Sequence, residues 1–192
     1  MRVFWAEGFD GASIDRLSRA MGMPRATLYQ EHGGKEGLFL NTLEHFTRTR
    51  MTDPMAALNG QGPLRQDLLR FYDAVIDMAL SEAEAPGCLI ASSLSAAAGS
   101  NLRLRAELGR QYNDLEALLA QRFDDAPDEL APQGTSPETL ALLAASVARG
   151  MMLRARAGAD RDTMRAACRA AVDVLCPPQP FPEVEDVPDA GR

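Results

Sequence analysis

Apolar positions recur along the chain at spacings of three and four, and no stretch alternates strictly for long enough to read as a strand, so the pattern predicts helices throughout. Residues 1–8 read as the end of a helix closed by Gly8, short of its beginning, which leaves either a start upstream or a frayed head. Ser13 is placed to cap Ile14–Met21, Gly22 breaks that helix, and Pro24 suits the first turn of a short one reaching about His32. After Gly33-Gly34, a longer helix over about 35–51 carries Leu38, Phe39, Leu43 and Phe46 on one side and ends before Pro54. Pro63 and Pro86 open helices over about 63–81 and 86–98. The stripe Leu104, Leu108, Tyr112, Leu115 and Leu119 makes a helix over 101–123 central to a core. A loop rich in Asp, Pro and Gly covers 124–135. Ser136-Pro137-Glu138 then starts a helix to about Ala157, and Asp160 caps a last one with Met164, Cys168, Ala171 and Leu175 on its stripe. Pro177-Pro178 stops it, and the proline- and acid-rich residues 177–192 read as a disordered tail.

Composition narrows this all-α reading. With 46% hydrophobic and 24% charged residues in 192, the chain can bury a core. No apolar run approaches the roughly 18 residues that span a bilayer, and the N-terminus lacks the apolar stretch of a signal peptide, so the cytoplasm is the default address. Cys88, Cys168 and Cys176 form no C-x-x-C pair and only two histidines are present; reduced thiols, no metal and no cofactor are expected. A net charge of −7 argues by itself against nucleic acid, but its distribution changes that. Residues 1–50 hold seven basic side chains against six acids, residues 51–175 twelve against seventeen, and the tail from 176 one against four. Lys35 is the sole lysine among the twenty basic residues.

The segment Ser13–Tyr29 fills each role of a helix-turn-helix. Ile14, Leu17 and Met21 form the apolar side of the first helix, Ser18 is the small contact residue, Gly22 takes the left-handed turn, and Met23 and Leu28 close the core from beyond it. The second helix then presents Arg25, Ala26, Thr27, Tyr29 and Gln30 outward, a set suited to base edges and phosphates.

Gly8-Phe9-Asp10-Gly11-Ala12-Ser13, Gly22-Met23-Pro24-Arg25-Ala26-Thr27-Leu28-Tyr29 and Gly33-Gly34-Lys35-Glu36-Gly37-Leu38 together resemble the TetR/AcrR-type transcriptional regulators over about the first 50 residues. The resemblance implies an all-α homodimer: a three-helix DNA-binding head over 1–50, here with a truncated first helix, and a helical ligand-binding and dimerisation body over 51–176. It implies a repressor released from double-stranded operator DNA by a small-molecule effector. Carried over residue by residue, Ser13, Tyr29 and Lys35 would meet phosphate, Arg25 and Thr27 phosphate or base edges, and Gln30 base edges, with Ala26 on the same face. Tyr29 reads equally well as a core aromatic with its hydroxyl at the rim. One departure stands out: the family usually places Phe where this chain has His32, and Glu31 puts a carboxylate where phosphates should lie. A dimeric small-molecule binder with a degenerate head is therefore the alternative.

In the body, helices over about 136–157 and 160–175 are expected to pair with their copies. Ala141, Ala144, Ala145, Ala148 and Gly150, beside Leu140, Leu143, Val147 and Met151, leave narrow faces, as do Ala166, Ala167, Ala170 and Ala171. Phe71, Tyr72, Met78, Cys88, Leu89, Tyr112, Met151 and Met152 are the candidate effector-pocket lining, with plain core as the competing assignment. Cys88, near a helix N-terminus whose dipole favours a thiolate, is either a sensor of oxidants or a buried inert thiol. An enzyme would need Cys88 with His32 or His45 as nucleophile and base, and no motif supports that pairing.

Overall fold

The computed structural model describes residues 1–130 and 134–177, and among them every regular element is helical. Ten α-helices follow in order: α1 Arg2–Gly11, α2 Ile14–Met21, α3 Arg25–His32, α4 Lys35–Arg50, α5 Thr52–Ala56, α6 Leu64–Leu80, α7 Ser95–Ala98, α8 Leu102–Asp124, α9 Pro137–Arg156 and α10 Arg161–Leu175. A π-helical stretch, Ile90–Leu94, runs straight into α7, and a 3₁₀ turn covers Pro127–Glu129. The capping chemistry lies where the side chains dictate. Ser13, Asn101, Ser136 and Asp160 each accept a hydrogen bond from a backbone N–H in the first turn of α2, α8, α9 and α10.

Aromatic packing builds the head. Phe4 and Phe9 on α1 close on Phe39 of α4 at ring distances of 4.8 and 5.1 Å, and Trp5 meets Phe46 edge-on at 5.1 Å. Leu17 and Leu28 complete this core from α2 and α3. In the body, α8 packs along α9, while α6 lies against both α9 and α10. Asp67 of α6 and Arg122 of α8 are buried together at 2.7 Å, with the Gly62 carbonyl taking a further guanidinium N–H. Such a pair ties α6 to α8 because a lone buried charge would be far costlier than the pair.

Three elements differ from the sequence expectation. Gly8 adopts φ 74° but only kinks α1, which resumes to Gly11. Pro54 does not wait beyond a helix end; it sits in the first turn of α5, where its missing N–H costs nothing. The helix expected over 86–98 starts late, because the Gly87 N–H folds back to the Ala79 carbonyl at 2.7 Å and holds 86–88 irregular. Two stripe positions also shift: Met21 is 41% exposed, and on α10 Val172 joins Met164, Cys168 and Leu175 in the core while Ala171 is half-buried. The tail expected over 177–192 lies outside the described residues beyond Pro177, as do 131–133 of the expected loop.

Candidate nucleic-acid interface and body cavity

Helix α3 is held by one face only. Leu28 is fully buried against the head core, whereas Arg25, Ala26, Tyr29 and Gln30 are exposed and Thr27 is half-buried. Gly22, at φ 61°, turns α2 into α3, and the Ser18 hydroxyl donates to the Met23 carbonyl across that turn. Tyr29, left open above between a core and a surface role, is 56% exposed, with its ring edge lying against Gly34. Ser13 is exposed, and its hydroxyl oxygen accepts from the Arg16 N–H at 3.2 Å.

The cations of this face are each engaged from within the head. Arg25 pairs with Asp15 of α2, Arg16 pairs with Glu7 at 3.0 Å, and the Arg19 guanidinium donates to the Asp15 carbonyl at 3.3 Å. Lys35, at the first position of α4, donates to the Asp10 carbonyl at 3.3 Å with its ammonium 4.6 Å from the centre of the Phe9 ring. His32 is half-buried; its Nδ1 lies 2.9 Å from the Asn41 side-chain nitrogen, while Glu31 is exposed beside it. Gly37 permits this junction, since an added Cβ would stand 1.7 Å from the His32 carbonyl oxygen.

Helix α4 joins this face to the body. Near its start, the Glu36 carboxylate accepts from Asn101 at 2.7 Å and from Arg103 at 3.0 Å on α8. The Asn101 hydrogen bond, helped by Arg103, holds the Glu36 carboxyl below the usual carboxylate range. Near its end, Arg50 pairs with Glu82 at 2.6 Å, and the Ser93 hydroxyl donates to the Phe4 carbonyl of α1 at 2.8 Å.

Beyond that junction the body encloses a cavity of about 80 Å³, with apolar walls from Phe71, Val75, Ile90, Ala91, Leu115 and Met152 and with Thr47, Gln111 and Arg149 at its edge. Of the residues expected to line a pocket, Phe71, Cys88, Tyr112 and Met152 do so. The other four do not. Tyr72 is core, its hydroxyl donating to the Ala144 carbonyl at 3.0 Å; Leu89 is core; Met78 faces a separate hollow between α4, α5 and α6; and Met151 is half-buried elsewhere on α9. Periodicity could not find Thr47, because α4 reads as a head helix until its last turns are seen to enter the body. The Cys88 thiol is pushed up from its ordinary value by burial, only partly offset by the N–H groups of Ala91 and Ile90, which favours the buried, inert thiol of the two alternatives. Neither histidine lines that cavity; His45 is exposed and His32 sits in the head.

The α9 and α10 faces divide differently from the small-residue pattern. Ala141, Ala144, Ala145 and Ala148 turn inward against the body, whereas Leu142, Leu143 and Leu153 are exposed on α9 and Ala166, Ala167, Ala170 and Val174 on α10.

Residues 1–42 match the sequence model of the family described as "Bacterial regulatory proteins, tetR family". Over 169 residues the chain is 28% identical to the HTH-type transcriptional repressor ComR of Escherichia coli (strain K12), covering 85% of this chain and 79% of that protein. It is 23% identical over 177 residues to YezE, an uncharacterized HTH-type transcriptional regulator of Bacillus subtilis (strain 168), covering 91% of each. Among solved structures, a cysteine mutant of the TetR family transcriptional regulator CifR, complexed with 26 bp double-strand operator DNA, aligns at a TM-score of 0.79 and 26% identity, over 90% of this chain and 91% of that one.

Proposed function

We propose that this chain is a regulator of the TetR type, a reading supported by its N-terminal head, that it represses transcription by binding operator DNA as a homodimer, and that it leaves that DNA when a small molecule fills the body cavity. The observation that carries this reading is α3, pinned by Leu28 and free along Arg25, Ala26, Tyr29 and Gln30, the geometry of a helix that enters a major groove. In this reading Arg25 and Thr27 meet phosphate or base edges, Gln30 faces base edges with Ala26 on the same face, and Ser13, Tyr29 and Lys35 meet phosphate around them. One head spans one half-site and binds weakly, so two copies are required; the exposed leucines of α9 and the alanine-lined face of α10 are the surfaces that join them. Residues 1–50 are then the reader and 51–176 the sensor and dimerisation unit, acting in the cytoplasm, where the operator is.

The test is a gel shift with double-stranded DNA from beside the chain's own gene, at physiological salt. Retardation that competitor DNA does not remove, and that Lys35→Ala and Tyr29→Phe each weaken without loss of helicity, is the expected result. A second reading, a small-molecule binder whose head no longer holds DNA, is favoured by the exposed Glu31 and by the acids already paired with Arg16 and Arg25. No retardation by the folded dimer on any fragment would establish that reading instead.

A further inference from the structure

The cavity between α4, α6, α8 and α9 holds no charge that lacks a partner. At its edge Arg149 donates to Glu116 at 2.6 Å and to the Tyr112 carbonyl at 3.4 Å, with its guanidinium carbon 3.8 Å from the centre of the Tyr112 ring. Asp114 is taken by Arg110 at 2.9 Å. The amide of Gln111 is used at both ends: its oxygen accepts from the Thr47 hydroxyl at 3.2 Å and its nitrogen donates to Glu107 at 2.8 Å. What remains facing the space is hydrocarbon, aromatic ring and sulfur: Phe71, Val75, Ile90, Leu115 and the thioethers of Met51, Met55 and Met152. An ion entering here would give up its water and find no free counter-charge, because taking Arg149 as partner would strand Glu116 and Asp114 is already neutralised by Arg110. A neutral apolar molecule loses nothing comparable and gains dispersion contacts with the apolar walls.

We propose that this cavity takes a small, neutral, apolar molecule, on the order of five to eight non-hydrogen atoms at about 10–15 Å³ of cavity each, and rejects an anion or cation of the same shape. The inference rests on the reading of the cavity as the effector site and adds the chemical class of its occupant. The cysteine at the cavity wall agrees with it, since burial keeps the Cys88 thiol protonated and uncharged.

The experiment is thermal unfolding of the full chain, followed by circular dichroism, with toluene, benzoate and benzylammonium at matched concentrations. Toluene is expected to raise Tm by about 3–6 °C at tenfold excess over its dissociation constant, with no concentration-dependent shift from the two ions. Ala91→Phe, which fills the cavity from the π-helical stretch, is expected to abolish the toluene shift; if that chain does not fold, Ala91→Leu serves with at least a threefold loss of apparent affinity. A benzoate or benzylammonium shift equal to that of toluene, a silent toluene titration, or a toluene shift that survives the cavity-filling change would each overturn the proposal. Operator binding measured on the same protein separates the two readings. Retarded DNA without toluene stabilisation sinks only the ligand class, and toluene stabilisation without DNA binding sinks only the regulator.

Discussion

Asp15 and Arg25 set the character of the surface proposed to face DNA, at the level of single side chains. Arg25 opens the exposed face of α3, and Asp15 neutralises it from α2, so one cation of the reader is masked in the free protein. Asp15→Asn is expected to unmask it. Binding to random-sequence DNA should tighten, and the slope of log K against log salt should steepen by about 0.9, the contribution of one added phosphate contact. Fluorescence anisotropy across a salt series measures both; an unchanged slope means that Arg25 does not reach phosphate. Gly37 is the second residue with a steric reason to be what it is. A methyl there meets backbone, not a side chain that can swing aside, so Gly37→Ala should cost about 1–3 kcal/mol in urea unfolding. The glycine-rich join before α4 was legible as a motif, but the contact between Gly37 and His32 was not, since it arises only where two helices meet at an angle no local pattern specifies.

Among the elements, α4 touches both the head and the body. Its first turn is clamped to α8 through Glu36, and its last turns supply Thr47 and Met51 to the cavity. Because Asn101 and Arg103 bind the ionised carboxylate, the Glu36 value is depressed on folding. The clamp therefore contributes fully above the ordinary value of 4.5 and fades as pH falls below it. Glu36→Gln is expected to lower Tm at neutral pH and to converge on the parent curve on the acid side of pH 4.5, read by circular dichroism. A gap of constant size at all pH would remove the clamp from the account. Helix boundaries were read well at Ser13, Gly22, Ser136 and Asp160, where a cap side chain or a left-handed glycine marks them, but not at Gly8, whose positive φ only kinks α1. The π-helical stretch at Ile90–Leu94 and the short α5 escaped because tertiary hydrogen bonding and packing, not propensity, decide them.

For the whole molecule, the decisive surface is the outer face of α9 and α10. Leu143 is 48% exposed, Leu153 54% and Val174 64%, an apolar set that a lone chain would leave in water. Leu143→Glu combined with Leu153→Glu should yield a helical monomer by sedimentation velocity and raise the protein concentration needed for DNA retardation at least tenfold. A variant that still sediments as a dimer would move the interface elsewhere. The alanines of α9 that marked it as close-packing face inward, whereas Ala166, Ala167 and Ala170 of α10 lie on its outer face, so the small-residue pattern points to opposite sides of the two helices. Composition and periodicity cannot tell the two sides apart when both are apolar.

The order of residues alone determined the helical class, the capped helix-turn-helix with its solvent-facing second helix, and the family likeness of the first fifty positions, because those features depend on contacts between near neighbours along the chain. Tertiary structure alone decided which acids mask the basic face, which side of α9 and α10 stays bare, and that Thr47 and Gln111, 64 positions apart, meet at one cavity. Such contacts are set by how helices cross, and helix crossing is governed by the sum of many weak packing choices that no single segment carries.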